Sequence, residues 1–459
     1  MIANSLIEAD RAHWIHPVAS WRDHEARGAT ILQSANGIYI TDREGHTLLD
    51  GFAGLWCVNI GYGHDSVVEA AAAQMRALPY ATGYFHFASE AAVQLADKLT
   101  ERAPGDLDHV YFTLGGSDAV DSAVRLIRYY YNITGRPEKK HMIALDRGYH
   151  GSSTIGSGLT GLAAFHTNFD SPTPLQHHIP CAYRYRSDAA DDAALIAASV
   201  AALKAKVAEI GQDKVAAFFA EPVVGSGGVI VPPVGWLTAM QQACRELDIL
   251  FITDEVITGF GRTGPLFACE HEGLTPDLLT VAKGLTSGYA PMGAVFLSDR
   301  IYRAIADNTP PGVAIGHGMT YSGHPVSAAV ALEVLRLYEE GGILANGQKS
   351  GAYLATRLQG LLDHPLVGDV RSKGLLAGVE LVTDKKAKTR PAAELGLPTH
   401  LARIAYSNGL LFRAFGDGIV GFAPPLCITE DEVDLMLERF VKSLDELLAI
   451  KAIRDAVVG

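Results

Sequence analysis

The sequence predicts an α/β protein with a large domain built on a mostly parallel central sheet and a smaller α+β domain. In the middle of the chain, short apolar runs rich in β-branched residues alternate with helical stretches. This alternation is typical of a parallel sheet covered by helices on both faces. The chain has 459 residues, more than the roughly 100–200 residues of an ordinary domain, so there is room for a second domain.

The strands of the central sheet are predicted from apolar runs, and the helices from the stretches that separate them. Predicted strands cover 110–114, 142–145, 215–220, 249–253, 278–282 and 294–297, and predicted helices include 117–131 and 236–247. Sheets of this kind place their chemistry at the carboxyl ends of the strands. Functional residues are therefore expected directly after the predicted strands.

The two ends of the chain carry a mixed pattern. A strand-like piece lies at 37–41, and a long helix is predicted at 325–338. Farther on, 375–382 is predicted as a strand and 430–448 as an amphipathic helix. We expect a large α/β domain at 61–325, a small α+β domain at 326–459, and an N-terminal segment at 1–60 that joins the small domain.

Composition and charge disfavour several classes of protein. The chain has 51 acidic and 38 basic residues and a formal net charge of −13. Binding to nucleic acid is not expected, because a phosphate backbone needs a basic face. Charged residues make up 19 % of the chain, which indicates a folded protein rather than a disordered one. No run reaches the roughly 18 apolar residues of a membrane helix, so no membrane partner is expected.

The cysteines and the N-terminus predict the cellular compartment. The five cysteines are widely spaced and form no C-x-x-C pair, which argues against a disulfide framework or a cysteine zinc site; they are Cys57, Cys181, Cys244, Cys269 and Cys427. Residues 1–16 lack a positive segment followed by an apolar core, so no signal peptide is predicted. A cytoplasmic enzyme is expected.

Two carboxylates, Asp254 and Glu255, follow the predicted strand 249–253. The strand resembles a Walker B segment of a nucleotide-dependent ATPase. The nearest Walker A candidate, 342–347, has Gln348 where the lysine must be, so this alternative is poor. Because successive strand side chains point to opposite faces, at most one of the two carboxylates can face a given site. A buried aspartate at a strand end needs a cationic or donor partner, which favours a function here over simple capping.

Lys283 ends the apolar strand predicted at 278–282, where a surface lysine is unusual. Desolvation disfavours the ammonium form and lowers its pKa, which makes the amine nucleophilic. Such an amine forms Schiff bases with carbonyl carbons. The 29-residue gap from Asp254 leaves room for a helix or loop between two parallel strands, so both residues could open onto one cleft.

Two glycine-rich loops also follow predicted strands. Gly115 and Gly116 precede Ser117, which we predict to be the N-cap of the helix 117–131. Glycines at a helix start also let backbone N–H groups approach a phosphate. In the second loop, 148–151, Tyr149 places an aromatic ring on which a flat cofactor could stack.

Other patterns carry no function. The G-x-G-x-x-G match at 156–161 lacks a strand directly before it and an acid about 20 residues later, so a dinucleotide site is not expected. The 17 histidines do not form a metal-binding motif, and we expect them in structural or surface positions. No metal is predicted.

Together these segments resemble the class III pyridoxal-phosphate-dependent aminotransferases of fold type I. They are most similar to the ω-amino acid and ω-amine:pyruvate transaminase branch. The most specific segments are DEVITGFGRTG at 254–264 and AKG at 282–284. The others follow the family's order along nearly the whole chain: 115–118, 148–151, 221–223, 318–325 and 423–425.

The resemblance implies a role for each matching residue around pyridoxal 5′-phosphate. Lys283 resembles the lysine that binds the cofactor covalently and later shuttles a proton, and Asp254 resembles the carboxylate that pairs with the pyridine nitrogen. The remaining cofactor contacts are implied to be Gly116 and Ser117 at the phosphate, Tyr149 and Val256 on the two ring faces, and Thr320 donated by the partner subunit. A homodimer with shared sites is therefore implied.

For substrates, the resemblance implies a mobile arginine and aromatic walls. Arg413 resembles the arginine that binds a substrate carboxylate, although a salt-bridged surface arginine would fit the same position. The aromatic residues at the positions of the pocket walls are Trp56, Tyr84 and Phe85, and Tyr149 is implied to contact the substrate as well as the cofactor. Ile257 stands where several subgroups that act on ornithine-like or γ-amino acids have glutamine, which favours the ω-amine branch.

The expected function is thus transfer of an amino group from an ω-amino acid or primary amine to pyruvate. An aminomutase or decarboxylase on the same fold, and a non-catalytic relative, are the alternatives alongside the ATPase. The sequence leaves open the physiological donor, dimer against tetramer, the residue at the cofactor's 3′-oxygen and the role of Glu221.

Overall fold

A computed structural model describes residues 2–458. The strands are β1 (Leu32–Asn36), β2 (Tyr39–Asp42), β3 (Thr47–Asp50), β4 (His109–Thr113), β5 (His141–Leu145), β6 (Gln176–Ile179), β7 (Val215–Ala220), β8 (Leu250–Asp254), β9 (Leu278–Val281), β10 (Gly293–Leu297), β11 (Val367–Lys373), β12 (Leu376–Leu381), β13 (Leu410–Leu411), β14 (Arg413–Ala414) and β15 (Ile419–Phe422).

The helices cover both faces of the central sheet and the outside of the smaller sheets. They are α1 (Ile2–His13), α2 (Trp21–Arg27), α3 (Ala53–Trp56), α4 (Asp65–Ala77), α5 (Glu90–Thr100), α6 (Gly116–Ile133), α7 (Thr154–Leu159), α8 (Asp192–Ile210), α9 (Trp236–Glu246), α10 (Asp299–Asn308), α11 (Pro325–Glu339), α12 (Ile343–Leu358), α13 (Leu397–Ser407), α14 (Glu430–Leu448) and α15 (Lys451–Ala456). No helix in this part of the chain is long and apolar enough to cross a membrane.

The central sheet has seven strands in the order β4-β10-β9-β8-β7-β5-β6. Only β10 runs against the others, since it pairs antiparallel with both β4 and β9. The expected mostly parallel sheet is therefore confirmed. Strands β8 and β9 are parallel neighbours, with Asp254 opposite Thr280, so the segments after both strands leave the sheet at the same edge.

The hydrophobic core lies on both faces of this sheet. Every residue of β7 is buried, and Phe218 and Phe219 enter two separate apolar clusters on opposite sides. Alternation of side chains along a strand explains this division. It also explains why the strand has no polar residue: helices cover both faces, so neither face meets water.

Two four-stranded sheets complete the fold. One joins the N-terminal strands β1, β2 and β3 to β13 from the far end of the chain, and the other has the order β11-β12-β15-β14. The N-terminal strands thus share a sheet with a C-terminal one, through the parallel pairing of β3 with β13. The domain boundaries at 60 and 325 stay a prediction.

The predicted elements match the observed ones to within a few residues, and in the central sheet one strand is missed. Strand β6 has the sequence QHHI. Its two central histidines interrupt any apolar run, so neither hydrophobicity nor β-branching marks it. It pairs only with β5, at the edge of the sheet, where polar side chains are tolerated.

Candidate active site

A cavity of about 410 Å³ opens where β8, β9 and the start of α6 meet. Six of the residues predicted to bind the cofactor line this one cavity: Gly116, Ser117, Tyr149, Asp254, Val256 and Lys283. They come from segments up to 167 positions apart in sequence. The carboxyl edge of the sheet brings them together, as open α/β sheets do.

Asp254 and Glu255 separate at the end of β8 as strand alternation predicts. Asp254 is 2 % exposed and lines the cavity. Glu255 is fully buried on the other side, where its carboxylate accepts hydrogen bonds from the backbone N–H groups of Ala268 (2.6 Å) and Cys269 (2.8 Å). Glu255 therefore anchors a loop, and only Asp254 faces the candidate site.

His150 holds Asp254 in place and is the main site residue that the sequence did not reveal. Its Nδ1 lies 2.7 Å from Asp254 Oδ2, and both side chains are buried. Burial by itself would lower the pKa of His150, but the hydrogen bond to Asp254 and the negative charge of Asp254 raise it above its usual value. The sequence predicts the histidines at structural or surface positions, and His150 lies at a buried position that also lines the cavity. Its position next to Tyr149 in the loop after β5 is the signal that could have identified it.

Lys283 lies two residues beyond β9, in a short 3₁₀ turn that points it into the cavity. Burial lowers its pKa, while the nearby Cys57, Asp254 and Glu221 partly counter that effect. A lysine with a lowered pKa has a larger fraction of neutral, nucleophilic amine at neutral pH.

The start of α6 forms a cradle with no room for larger side chains. A Cβ atom added at Gly116 would lie 2.9 Å from Val256 Cγ1. Gly151 has φ +112°, and a Cβ there would lie 2.7 Å from Ser117 Oγ. The backbone N–H groups at the N-terminus of this 18-residue helix carry the positive end of its dipole, which suits a phosphate.

The predicted N-cap role of Ser117 is wrong. The helix begins at Gly116 with Gly115 as its cap, and Ser117 Oγ instead accepts a hydrogen bond from the backbone N–H of Ser152 at 3.2 Å. The hydroxyl is therefore used to join the two glycine-rich loops across the cavity. Glycine at the cap leaves the helix start open to a ligand.

Glu221, whose role the sequence left open, organises the backbone beneath the site. Its carboxylate accepts hydrogen bonds from the backbone N–H groups of Tyr149 (2.8 Å) and Gly225 (2.9 Å). Burial raises the pKa of Glu221 to about 7, the positive charge of His150 opposes this, and the negative charge of Asp254 adds to it. Glu221 thus fixes the loop that carries the Tyr149 ring.

The raised pKa of Glu221 predicts a pH-dependent loss of stability. In the unfolded chain this carboxyl ionises near pH 4.5, and in the folded chain near pH 7. Between these values the folded state binds more protons, so the free energy of unfolding falls as pH rises. The difference between the pKa of about 7 and the usual 4.5 corresponds to about 3 kcal/mol.

The Glu221→Gln variant should therefore lose stability less steeply than the wild type between pH 5 and pH 8. Because glutamine also replaces one acceptor by a donor, the slope of unfolding free energy against pH is informative and its absolute value is not. Urea unfolding at several pH values measures the slope. Glu438→Gln, at an exposed position of α14, is the control. Equal slopes for Glu221→Gln and wild type would contradict the prediction.

Trp56 and Arg413 lie outside the cavity lining but are linked to each other through Phe415. The Trp56 ring is buried, with its centroid 6.3 Å from that of Phe415, and the Arg413 guanidinium lies 5.5 Å from the Phe415 ring centroid. Trp56 precedes Cys57, which does line the cavity. Arg413 is exposed, and no carboxylate of the described residues contributes to its pKa. The alternative of a surface arginine therefore fits its position but not its lack of a salt bridge.

Tyr84, Phe85 and Thr320 lie away from the cavity of their own chain and face outward. Phe85 is 83 % exposed. The Tyr80 hydroxyl donates a hydrogen bond to the Thr320 carbonyl at 3.0 Å, and the Tyr84 and Phe85 rings pack against each other at 5.8 Å. The two segments therefore form one exposed surface.

The residues at the cavity fit pyridoxal phosphate on three counts. The glycine cradle at the start of α6 accepts a phosphate, buried Asp254 offers a charge to a ring nitrogen, and the amine of Lys283 can bind an aldehyde. The mostly parallel sheet, the helix that begins at the cavity and the lysine–carboxylate pair define a pyridoxal-phosphate-dependent enzyme of fold type I.

Comparison with known proteins identifies the family. The family model of Aminotransferase class-III matches residues 22–444, and the chain belongs to this family. It is 42 % identical over 443 residues to the putrescine–pyruvate aminotransferase of Pseudomonas aeruginosa, covering 96 % of this chain and 95 % of that protein. The family predicted from the sequence is confirmed, and the ATPase alternative loses its support.

Solved structures agree. A thermostable (S)-enantioselective ω-transaminase from Thermomicrobium roseum matches with a TM-score of 0.94 and 39 % identity, over 97 % of this chain and 99 % of that one. The ω-transaminase from Pseudomonas jessenii in complex with PMP matches with a TM-score of 0.94 and 38 % identity, over 97 % and 98 %. The protein is a pyridoxal-phosphate-dependent aminotransferase.

Proposed function

We propose that the enzyme transfers an amino group from a primary amine or ω-amino acid to pyruvate, with Lys283 and Asp254 as catalytic residues. The observation that carries this proposal is the meeting of the two residues in one cavity with the cradle at the start of α6. The similarity to a putrescine–pyruvate aminotransferase supports the amine donor and the pyruvate acceptor.

Each side chain has a distinct task in this proposal. When bound, pyridoxal phosphate supplies an aldehyde that binds amines and a ring that accepts electrons. With the cofactor present, Lys283 Nζ would hold its aldehyde carbon, and the freed amine would serve as the group that moves a proton at the reacting carbon. Asp254, fixed by His150, keeps the ring nitrogen protonated. Tyr149 and Val256 enclose the ring, and Gly116 and Ser117 hold the phosphate.

Arg413 is proposed to bind the substrate carboxylate. A guanidinium offers two parallel N–H groups to a carboxylate, which adds both energy and orientation. The Arg413 guanidinium lies over the Phe415 ring, and the Phe415 ring lies beside that of Trp56. When the substrate has no carboxylate, these two rings offer an apolar surface to a carboxylate-free amine. One site can then accept pyruvate and a carboxylate-free donor in turn.

Arg413→Ala should lower kcat/KM for pyruvate by about 10²-fold, because two charge-assisted hydrogen bonds are lost. The first half-reaction with a carboxylate-free amine such as benzylamine should change by no more than about three-fold, since that amine offers no partner for the guanidinium. Stopped-flow measurement of each half-reaction separates the two effects. The remote Arg303→Ala variant is the control. Equal losses in both half-reactions would contradict the proposed role of Arg413 as the ligand of the substrate carboxylate.

The same assay distinguishes the reaction type. A transaminase releases one alanine for each amine consumed, whereas an aminomutase or a decarboxylase consumes its substrate without making alanine from pyruvate. A panel of diamines, ω-amino acids and arylalkylamines with pyruvate would also identify the donor class. Amine consumption without matching alanine would overturn the proposal.

We further propose a homodimer in which each subunit completes the other's site. The exposed surface around Thr320 carries five aromatic side chains that the rest of the chain leaves exposed to water: Tyr80, Tyr84, Phe85, Phe87 and Tyr321. Exposed apolar patches of this kind mark interaction surfaces. Thr320, Tyr84 and Phe85 would then act in the partner's site, which explains their absence from the cavity of their own chain.

The dimer predicts complementation between two defective chains. If Thr320 serves the partner's site, a heterodimer of Lys283→Ala and Thr320→Ala chains contains one site with both residues intact. Coexpression with two different affinity tags should give a heterodimer with about half of the wild-type activity, by simple counting of intact sites. Sedimentation should show two chains per particle. A monomer, or a heterodimer no more active than the Thr320→Ala homodimer, would contradict the shared site.

A further inference from the structure

We propose that the ion pair between Arg147 and Asp417 positions Arg413, and that this pair determines how strongly the enzyme favours carboxylate-bearing substrates over carboxylate-free amines. Arg147 and Asp417 are positioning residues, since neither lines the cofactor cavity. The inference rests on the proposed role of Arg413 as the ligand of the substrate carboxylate.

Arg147 is held rigidly on the cofactor side of this pair. It lies two residues before Tyr149, in the left-handed region with φ +68°, and its backbone N–H donates to the Gly161 carbonyl at 2.9 Å. Its Nε donates to the Gly227 carbonyl at 2.7 Å, and its guanidinium lies over the Tyr183 ring at 5.8 Å. Of the two terminal nitrogens, Nη2 is the one that donates to Asp417.

Asp417 lies at the tip of the hairpin that carries Arg413. The hairpin joins β14, which begins with Arg413, to β15, and it is closed by the hydrogen bond from the Phe415 N–H to the Ile419 carbonyl at 2.8 Å. Strand β14 has only two residues and lies at the edge of its sheet. Few ladder hydrogen bonds therefore restrain this strand. A contact at the tip of the hairpin can then determine the position of Arg413.

The pair joins these two elements by a short, partly protected contact. Arg147 Nη2 lies 2.6 Å from Asp417 Oδ2, and the two side chains are 25 % and 24 % exposed. A charge-assisted hydrogen bond of this length is stronger than an exposed surface ion pair. The second cation near Asp417 is Arg390, at 3.7 Å and 39 % exposed, which makes Arg390 a matched control.

Phe415 connects the hairpin to the two residues proposed to contact the substrate, Arg413 and Trp56. This ring is 8 % exposed and lies between the Arg413 guanidinium, at 5.5 Å, and the Trp56 ring, at 6.3 Å. Release of the tip would let Phe415 and Arg413 move together, so the carboxylate site would lose its fixed geometry. The cofactor contacts of Lys283 and Asp254 lie on other elements and would be unaffected.

The test compares two donors on the same pyridoxal form of the holoenzyme. L-Alanine needs the carboxylate site, and benzylamine does not. For both Asp417→Asn and Arg147→Gln, kcat/KM for alanine should fall about ten-fold while that for benzylamine changes by less than about two-fold, as expected for loss of one coupling contact. The double variant should lose no more than either single variant. Arg390→Gln should leave the ratio of the two donors unchanged.

Each outcome is decisive for the pair. Two results in Asp417→Asn and Arg147→Gln would overturn the inference. If kcat/KM is unchanged for both donors, the pair has no effect on Arg413. If kcat/KM falls equally for both donors, the variants have a general structural defect. Cofactor absorbance and thermal melting of each variant establish that it is folded and loaded, and Asp417→Glu, which keeps the charge, should restore at least part of the ratio.

The Arg413→Ala variant separates this inference from the proposed function. If Arg413→Ala leaves kcat/KM unchanged for both donors, the proposed role of Arg413 as the carboxylate ligand is wrong. If Arg413→Ala selectively lowers kcat/KM for alanine but Asp417→Asn does not, Arg413 binds the carboxylate and the inference that the Arg147–Asp417 pair positions it is wrong. In the Arg413→Ala background, adding Asp417→Asn should have no further effect on the ratio.

Discussion

Lys283→Ala is expected to abolish amino transfer, with a loss of turnover of roughly 10⁴-fold or more. The substitution removes the amine that binds the cofactor aldehyde and also the group that moves the proton, and positioned proton transfer alone contributes about 10²- to 10⁴-fold. The structure places this amine in the cavity beside Asp254 and lowers its pKa by burial. Alanine release from pyruvate with a saturating amine measures the loss.

A second buried lysine provides the control for Lys283. Lys139 is 4 % exposed and donates to the Val215 carbonyl at 3.2 Å, far from the cavity. Lys139→Met should lower stability but keep turnover per folded molecule within about three-fold of the wild type, because it touches no reacting group. Borohydride reduction of the wild-type holoenzyme should attach the cofactor irreversibly to the peptide that contains Lys283. Attachment at another residue, or wild-type turnover in Lys283→Ala, would refute the role of Lys283.

The residues that the sequence could identify share one property: they follow an apolar strand. Asp254 ends β8 and Lys283 follows β9, and the apolar runs before them are long enough to predict both strands to within a residue or two. In a parallel sheet covered on both faces, a polar residue at such a position has few structural reasons to be there. Fold class and the two residues that we propose as catalytic could therefore be suggested from pattern alone.

The residues that the sequence could not identify act through backbone groups or through another side chain. Glu221 accepts hydrogen bonds from the N–H groups of Tyr149 and Gly225, and a backbone partner leaves no trace in the residue pattern. His150 contacts a carboxylate 104 positions away, and no spacing rule links residues on two non-adjacent loops. Local rules favour Ser117 as a cap, but its hydroxyl accepts a hydrogen bond from Ser152 in the neighbouring loop.

Arg413 and Phe85 illustrate a further limit. Their positions are suggested only by resemblance, since nothing in the local sequence indicates that an arginine lacks a carboxylate partner or that an aromatic ring is exposed. Each property depends on how distant segments pack.

Asp254→Asn should reduce turnover by roughly 10²- to 10⁴-fold, since breaking a buried charge pair costs about 3–5 kcal/mol. Asparagine keeps the shape and leaves His150 in contact, but it removes the charge that we propose keeps the ring nitrogen of the bound cofactor protonated. The electron-withdrawing power of the ring is lost while the lysine and the phosphate cradle remain. The variant should therefore still bind the cofactor, and single-turnover measurements with an amine donor should show a slow reaction at full occupancy.

The next residue along the chain supplies the matched control. Glu255 is as deeply buried as Asp254, but it faces the other side of the strand and accepts hydrogen bonds from Ala268 and Cys269. Glu255→Gln should cost stability by misplacing a donor there while turnover per folded holoenzyme changes by no more than about three-fold. Comparable losses of turnover in the two variants would contradict the assignment. A large loss in Asp254→Asn alone would separate a charge that acts on the ring from a charge that only anchors a loop.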